Sequence, residues 1–154
     1  MNRTRVVILG GGFAGVATAR ALDRAGRKRV DVTLVNRENF TLFTPMLPEV
    51  AAGSIEGRDI MRPLRAAFAN RPSLRFELGD AIGADTGRKT VTVRHPITHD
   101  EKSLAYDELV LALGSTASTM GVPGVAESAL PFKTMADAET VRRRVLGALE
   151  AAAG

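Results

Sequence analysis

Arg5-Val6-Val7-Ile8-Leu9-Gly10-Gly11-Gly12-Phe13-Ala14-Gly15 is the stretch whose reading decides the fold of this chain. Its first half is a β-branched apolar run, as expected of a short strand buried on both faces of a parallel sheet. Its second half spaces Gly10, Gly12 and Gly15 as GxGxxG. The alanine-rich segment that follows, with Val16 and Leu22, has good helix propensity up to Ala25, and Gly26 supplies a stop. Residues 30–35 (VDVTLV) then read as a second strand. A crossover of this kind is right-handed in nearly all cases, which predicts that the two strands are parallel neighbours.

The strand-turn-helix context gives each glycine a distinct task. Gly10 permits the tight turn, Gly12 lets backbone approach a diphosphate, and Gly15 lets the helix pack closely on the strands. The N-H groups and partial positive charge at the helix start suit an anion. FAD, NAD and NADP share that diphosphate, so the turn alone does not choose among them. The end of the second strand commonly carries a carboxylate that accepts from ribose hydroxyls. Here it carries Asn36, which can donate and accept but lacks charge assistance. Arg37 beside it offers another chemistry, recognition of a 2′-phosphate, and leaves NADP open.

At 154 residues, 45% hydrophobic and 25% charged, the chain has the profile of one globular domain, residues 1–154. It contains no cysteine, which excludes disulfides, thiolate metal sites and a cysteine nucleophile within it, so redox chemistry needs a cofactor. His95 and His99 share a polar stretch with Pro96 and Asp100 and read as a solvated loop, not a metal site. The formal charge of +4 is spread along the chain. Its densest runs, Arg27-Lys28-Arg29 in an expected turn and Arg142-Arg143-Arg144 on an expected helix, read as solvated faces, so no nucleic-acid partner is expected. Arg3 and Arg5 before an apolar run imitate a secretory signal, but four glycines interrupt the run. No apolar stretch reaches the ~20 residues that cross a bilayer.

Residues 36–62, with Pro45, Pro48, Gly53 and Gly57 and no sustained period, read as an ordered excursion of the functional kind. Pro63 suits the start of a helix carrying Leu64, Ala67 and Phe68. Leu74, Phe76 and Leu78, and later Val91 and Val93, alternate with polar residues around turn chemistry at residues 85–88, which predicts an antiparallel meander. Residues 109–113 (LVLAL) form a further apolar strand ending at Gly114. Thr134 and Asp137 make a capping-box pattern ahead of a helix through Val141, Val145 and Leu149.

Four segments, GGGFAG from Gly10, VTLVNRENFTLFTPMLPEVAAGSI from Val32, YDELVLALGS from Tyr106 and GVPGV from Gly121, stand in the order and spacing that resembles the first half of type II NADH dehydrogenases. The resemblance runs from Val6 to about Val145. It implies an α/β, Rossmann-like FAD/NAD(P)-binding domain with a parallel sheet and an antiparallel meander. It assigns the FAD diphosphate to Gly10, Gly12, Phe13, Ala14 and Gly15, and the adenosine ribose to Asn36, with Arg37 beside it. It also assigns the adenine to the backbone at Ala81, and the second flavin signature to Ala112, Leu113 and Gly114. The loop with Pro45 passes the isoalloxazine on the quinone-facing side.

The activity implied is hydride transfer from NADH to FAD and electron transfer on to quinone, with no side chain of this chain as acid, base or nucleophile. The NADH-binding and C-terminal membrane-associating parts are expected to lie outside these residues. The expected partner is the small-molecule cofactor, with a homodimer left open. The expected location is cytoplasmic, the whole protein being peripheral on the cytoplasmic membrane face. Sulfide:quinone oxidoreductases share the scaffold but depend on cysteines. A ferredoxin or rubredoxin reductase type of flavoprotein, and a nonenzymatic NAD(P)-sensing Rossmann domain, remain as alternatives.

Overall fold

The chain opens with β1 (Thr4–Leu9), α1 (Phe13–Gly26) and β2 (Val30–Asn36) in the computed structural model, which describes residues 3–26 and 29–154. Of the basic run 27–29, Arg27 and Lys28 lie outside the described residues. The excursion after β2 holds β3 (Phe40–Leu42), a 3-10 turn (Thr44–Met46), α2 (Leu47–Ala52), a second 3-10 turn (Gly57–Ile60), β4 (Met61–Pro63) and the one-turn α3 (Leu64–Ala67). The remainder comprises β5 (Leu74–Leu78), β6 (Asp80–Asp85), β7 (Thr90–Arg94), β8 (Glu101–Ala105), β9 (Glu108–Leu111), α4 (Val125–Ser128) and α5 (Met135–Ala153). The chain divides into two compact units, one of Met1–Thr41 with Arg62–Gly114, the other of Leu42–Met61 with Ser115–Gly154.

The first unit is built on an all-parallel sheet of order β5-β2-β1-β9. β1 and β2 run in register from Thr4↔Val30 to Leu9↔Val35, as their sequences predict. Successive side chains of a strand point to opposite faces, and both faces of β1 are covered. Val6 and Ile8 join Val16 and Ala19 of α1, Val32 and Leu34 of β2, and Leu64 and Phe68. Val7 and Leu9 join Val35, Val91, Val93 and Tyr106 on the other side. That double burial is why the strand reads as an unbroken apolar run. Ile8 and Leu34 are 0% exposed, so truncating either to alanine would cost about 2 to 5 kcal/mol.

Two strands depart from what the sequence predicts. The alternating residues of β5 were expected to open the meander, yet β5 pairs in parallel with β2 from Val32↔Leu74 to Asn36↔Leu78. Its alternation reflects its place at the sheet edge, where only Leu74 is fully buried. The antiparallel meander is β6-β7-β8. β6 (DAIGAD) is mostly small residues, exposed from Ala81 onward with Ile82 among them, and has a bulge between Ala81 and Gly83, so no period marks it. The turn at 85–88 does join two antiparallel strands, with the Arg88 N-H donating to Asp85 Oδ1 at 2.8 Å. The second correction concerns β9, read as a fully apolar strand over residues 109–113 and found at Glu108–Leu111. It is the sheet's other edge among the described residues, with Leu111 67% exposed.

Three tertiary ties secure the parallel sheet and α1. Arg5 donates to Asp107 through Nε at 3.2 Å and Nη2 at 2.7 Å, and its backbone N-H donates at 2.7 Å. These bonds, the side-chain one foremost, hold the Asp107 carboxyl down at a pKa of about 2. Asp23 of α1 is buried and accepts from Arg71 and Ser73, which fixes the approach to β5. Buried carboxylates are tolerated when paired in this way.

In the second unit α2 packs on α5 around Leu47, Val50, Ile60 and Ala138. α2 ends at Gly53 in the left-handed conformation (φ 78°). α5 begins with the predicted capping box: Asp137 N-H donates to Thr134 Oγ1 at 3.1 Å and Thr134 N-H to Asp137 Oδ2 at 2.8 Å. The backbone N-H of Lys133, with those of this box, lowers the pKa of Asp137. No helix among the described residues is long and apolar enough to cross a membrane.

Candidate dinucleotide-binding site

A parallel sheet sends all its strands out at one edge, so the loops after β1, β2, β5 and β9 meet there. The backbone ladder extends past the strand ends to hold them. Gly10 N-H donates to Val35 O at 2.8 Å, Ala112 N-H to Leu9 O at 2.8 Å and Gly79 N-H to Asn36 O at 2.9 Å. β1 has β2 on one side and β9 on the other, so the chain's order reverses at its carboxyl end. A crevice at such a reversal is where open α/β sheets bind ligands.

The glycines of the turn divide by what a Cβ would meet. Gly10 has φ +112°, and a Cβ there would stand 2.2 Å from the Ala112 carbonyl oxygen. A Cβ on Gly15 would stand 1.9 Å from the Gly10 carbonyl oxygen, so the helix can lie this close to the turn only with glycine. Gly11, to which the sequence reading gave no role, would meet Asn36 Cγ at 2.7 Å and Leu64 Cδ1 at 2.8 Å. Gly12 differs. Its Cβ would meet no heavy atom of the described residues within 4 Å, and its φ is outside the left-handed range. The fold therefore does not require glycine at 12, whereas a diphosphate brought against the backbone would.

Gly12 O accepts from Val16 N-H at 3.0 Å as the first intrahelical bond of α1. Phe13 begins the helix and is 56% exposed. The opening turn of any helix, here including Ala14, presents N-H groups without intrahelical acceptors. A glycine with open space above it, at the start of a helix and at the switch point of the sheet, fits a dinucleotide diphosphate.

The other expected site residues are distributed as follows. Asn36 Oδ1 accepts from Gly11 N-H at 2.8 Å, and its Nδ2 donates to Glu38 O at 2.9 Å. Arg37, largely exposed, pairs with Asp80 at 3.3 Å. Ala81 is exposed on β6 next to the bulge. Ala112, just past β9, carries the carbonyl that abuts Gly10. Leu113 is 69% exposed, and Gly114 has φ +75° with open space around its missing Cβ. The structure thus brings Gly10, Gly12, Phe13, Ala14, Gly15, Asn36, Arg37, Ala112, Leu113 and Gly114 to the carboxyl edge of one sheet. Ala81 follows β5 by way of Gly79. Pro45 belongs to the other unit, in the 3-10 turn before α2.

His95 serves its own loop: its Nδ1 accepts from Thr98 N-H at 3.2 Å and Ile97 N-H at 3.3 Å. A depression of about 260 Å³ beside it is lined by Glu77, Lys102, Asp100 and Thr98, with Glu77 and Lys102 ion-paired at 2.8 Å.

Sheet order, glycine turn and helix start place this chain in the class of α/β proteins with a Rossmann-like, dinucleotide-binding type of fold. It belongs to the pyridine nucleotide-disulphide oxidoreductase family, whose model matches residues 4–149. The type II NADH:quinone oxidoreductase NdhA of Mycobacterium tuberculosis is 37% identical over 98% of this chain and 31% of its own length. The external alternative NADH-ubiquinone oxidoreductase of Yarrowia lipolytica mitochondria is 32% identical over 98% of this chain and 26% of its own. NDH2 from Plasmodium falciparum, solved in complex with NADH, superposes with a TM-score of 0.85 at 25% identity, over 99% of this chain and 31% of that one. The chain therefore spans about a quarter to a third of the length of these relatives.

Proposed function

We propose that this chain is the FAD-binding part of an NADH:quinone oxidoreductase. One observation carries the reading: Gly12 stands at the switch point of the sheet and at the start of α1, with open space where its side chain would be and no demand from the fold for glycine. The names of its relatives in Mycobacterium tuberculosis and Yarrowia lipolytica support the activity, and NADH in the Plasmodium falciparum structure supports the donor.

In this reading the backbone of Gly12, Phe13, Ala14 and Gly15 holds the diphosphate, with Gly10 setting the turn. Asn36 and Arg37 lie toward the adenosine ribose, and Ala81 toward the adenine. Ala112, Leu113 and Gly114 let backbone pass close to the flavin. FAD held there would supply the hydride-accepting and electron-transferring chemistry, between NADH and quinone, that no side chain of this chain provides. The residues of this chain bind and orient it, and none of them needs to act as an acid, base or nucleophile. The whole protein meets its lipid-soluble acceptor as a peripheral protein on the cytoplasmic face of a membrane.

The experiment is an absorption spectrum of the purified chain incubated with FAD and freed of excess, with the retained cofactor identified after denaturation. Flavin bands with FAD released are expected from the unmodified chain and not from Gly12→Val. Retention of NAD(P) in preference to FAD would replace this reading with that of a nucleotide-sensing domain.

A further inference from the structure

Asn36 occupies a junction. Its backbone carbonyl accepts from Gly79 at the exit of β5, and its side chain sits under the glycine turn at the exit of β1. Oδ1 accepts from Gly11 N-H at 2.8 Å, while Nδ2 donates to Glu38 O at 2.9 Å and, at 3.5 Å, to Phe40 O. These partners admit only one orientation of the amide, because a backbone N-H can only donate and a carbonyl can only accept. The packing is close: a Cβ on Gly11 would be 2.9 Å from Asn36 Cβ as well as 2.7 Å from its Cγ. Leu64, which bounds Gly11 on its other side, is itself tied to this loop by its N-H to Asn39 O at 2.8 Å.

We propose that Asn36 is the positioning residue of the glycine turn and must be an amide to do this. It fixes the Gly11 peptide, and through it the direction in which the backbone of Gly12 faces the diphosphate. A carboxylate, which is acceptor-only when ionised, reproduces the bond to Gly11 but sets its second oxygen against the carbonyls of Glu38 and Phe40. Asn36 is therefore not a weakened ribose-binding acid. The side chain that would strengthen a ribose contact is the one that disrupts the turn.

This inference rests on the FAD-binding reading, and its test separates the two. In the chain without cofactor, amide exchange of Gly11 measured by NMR is expected to be slow in the unmodified protein and at least tenfold faster in Asn36→Ala. That measurement needs no ligand, so it stands even if FAD does not bind. The second measurement compares ADP and AMP, by NMR titration of the unmodified protein and Asn36→Asp. Positioning of the turn predicts about tenfold or greater weakening for ADP, with AMP, which lacks the diphosphate, changed less than threefold. A general loss of stability would weaken both alike and overturn the proposal. Equal or tighter binding of ADP by Asn36→Asp, or Gly11 exchange unaffected by Asn36→Ala, would also overturn it.

Discussion

The carbonyl oxygen of Gly10 lies 1.9 Å from where a Cβ on Gly15 would stand, so turn and helix touch through backbone alone. Gly12, between them, has open space in the corresponding direction. Substitutions at the two positions should therefore fail for different reasons. Gly15→Val drives a branched side chain into the Gly10 peptide and should lower unfolding free energy by about 3 kcal/mol or more, in line with overpacking at a site that cannot relax. Gly12→Val should keep the denaturant midpoint near that of the unmodified chain while abolishing retention of FAD. Unfolding curves and FAD titrations on both variants check this, and a Gly12→Val chain that binds FAD normally would remove Gly12 from the site.

The Arg5–Asp107 clamp joins the first residues of β1 to the start of β9, 102 residues apart. Because folding lowers the Asp107 pKa to about 2 from 3.8, the folded state binds fewer protons at this group than the unfolded state does. Its contribution is thus present above pH ~4 and is lost as pH falls from there toward 2. Asp107→Asn should remove this part of the acid dependence, so that the melting temperatures of variant and unmodified chain converge as pH is lowered through that range. A constant gap between them from pH 6 to pH 2.5 would show that the clamp is not coupled to folding. Both side chains are about half exposed, so added salt should shrink the difference at neutral pH.

The parts legible in the sequence are those fixed by local chemistry. The glycine turn announces itself because spacing, preceding strand and following helix all lie within one short segment. Thr134 and Asp137 likewise predict the start of α5, since a capping box closes within four residues. What escaped depends on partners distant in sequence. β6 has no hydrophobic period because its residues are exposed, and β5 shows an alternation that a parallel edge strand and a hairpin strand share. Gly11 is demanded by Asn36 and Leu64, which no local pattern reveals. The burial of Asp23 depends on Arg71 and Ser73, 48 and 50 residues away.

Arg37 bears on the choice between phosphorylated and unphosphorylated adenosine. Its guanidinium is 74% exposed and pairs with Asp80 at 3.3 Å. A surface pair of this kind is worth at most about 1 kcal/mol, but the Asp80 carboxylate offsets the positive charge that would attract a 2′-phosphate. Competition between ADP and its 2′-phosphorylated counterpart should accordingly show affinities within about threefold of one another. Asp80→Asn should shift the balance toward the 2′-phosphate. A tenfold preference for the 2′-phosphate in the unmodified chain would instead make Arg37 the recognition residue for an NADP-type ligand.

The 154-residue chain loaded with FAD should oxidise NADH no faster than free FAD at the same concentration. Hydride transfer requires the nicotinamide to be held ~3 to 3.5 Å from the flavin acceptor atom, and such positioning accounts for much of a catalyst's advantage over solution. The sequence contains one GxGxxG turn, at Gly10, Gly12 and Gly15. FAD in that turn leaves NADH without a second glycine-lined helix start for its own diphosphate, and reduction then depends on collision. The measurement follows NADH absorbance with a soluble quinone present, over a range of NADH concentrations. A rate rising linearly with NADH and matching the free-flavin control is expected. Saturable turnover well above that control would mean that these residues also hold NADH, and the single-turn account of the site would fall.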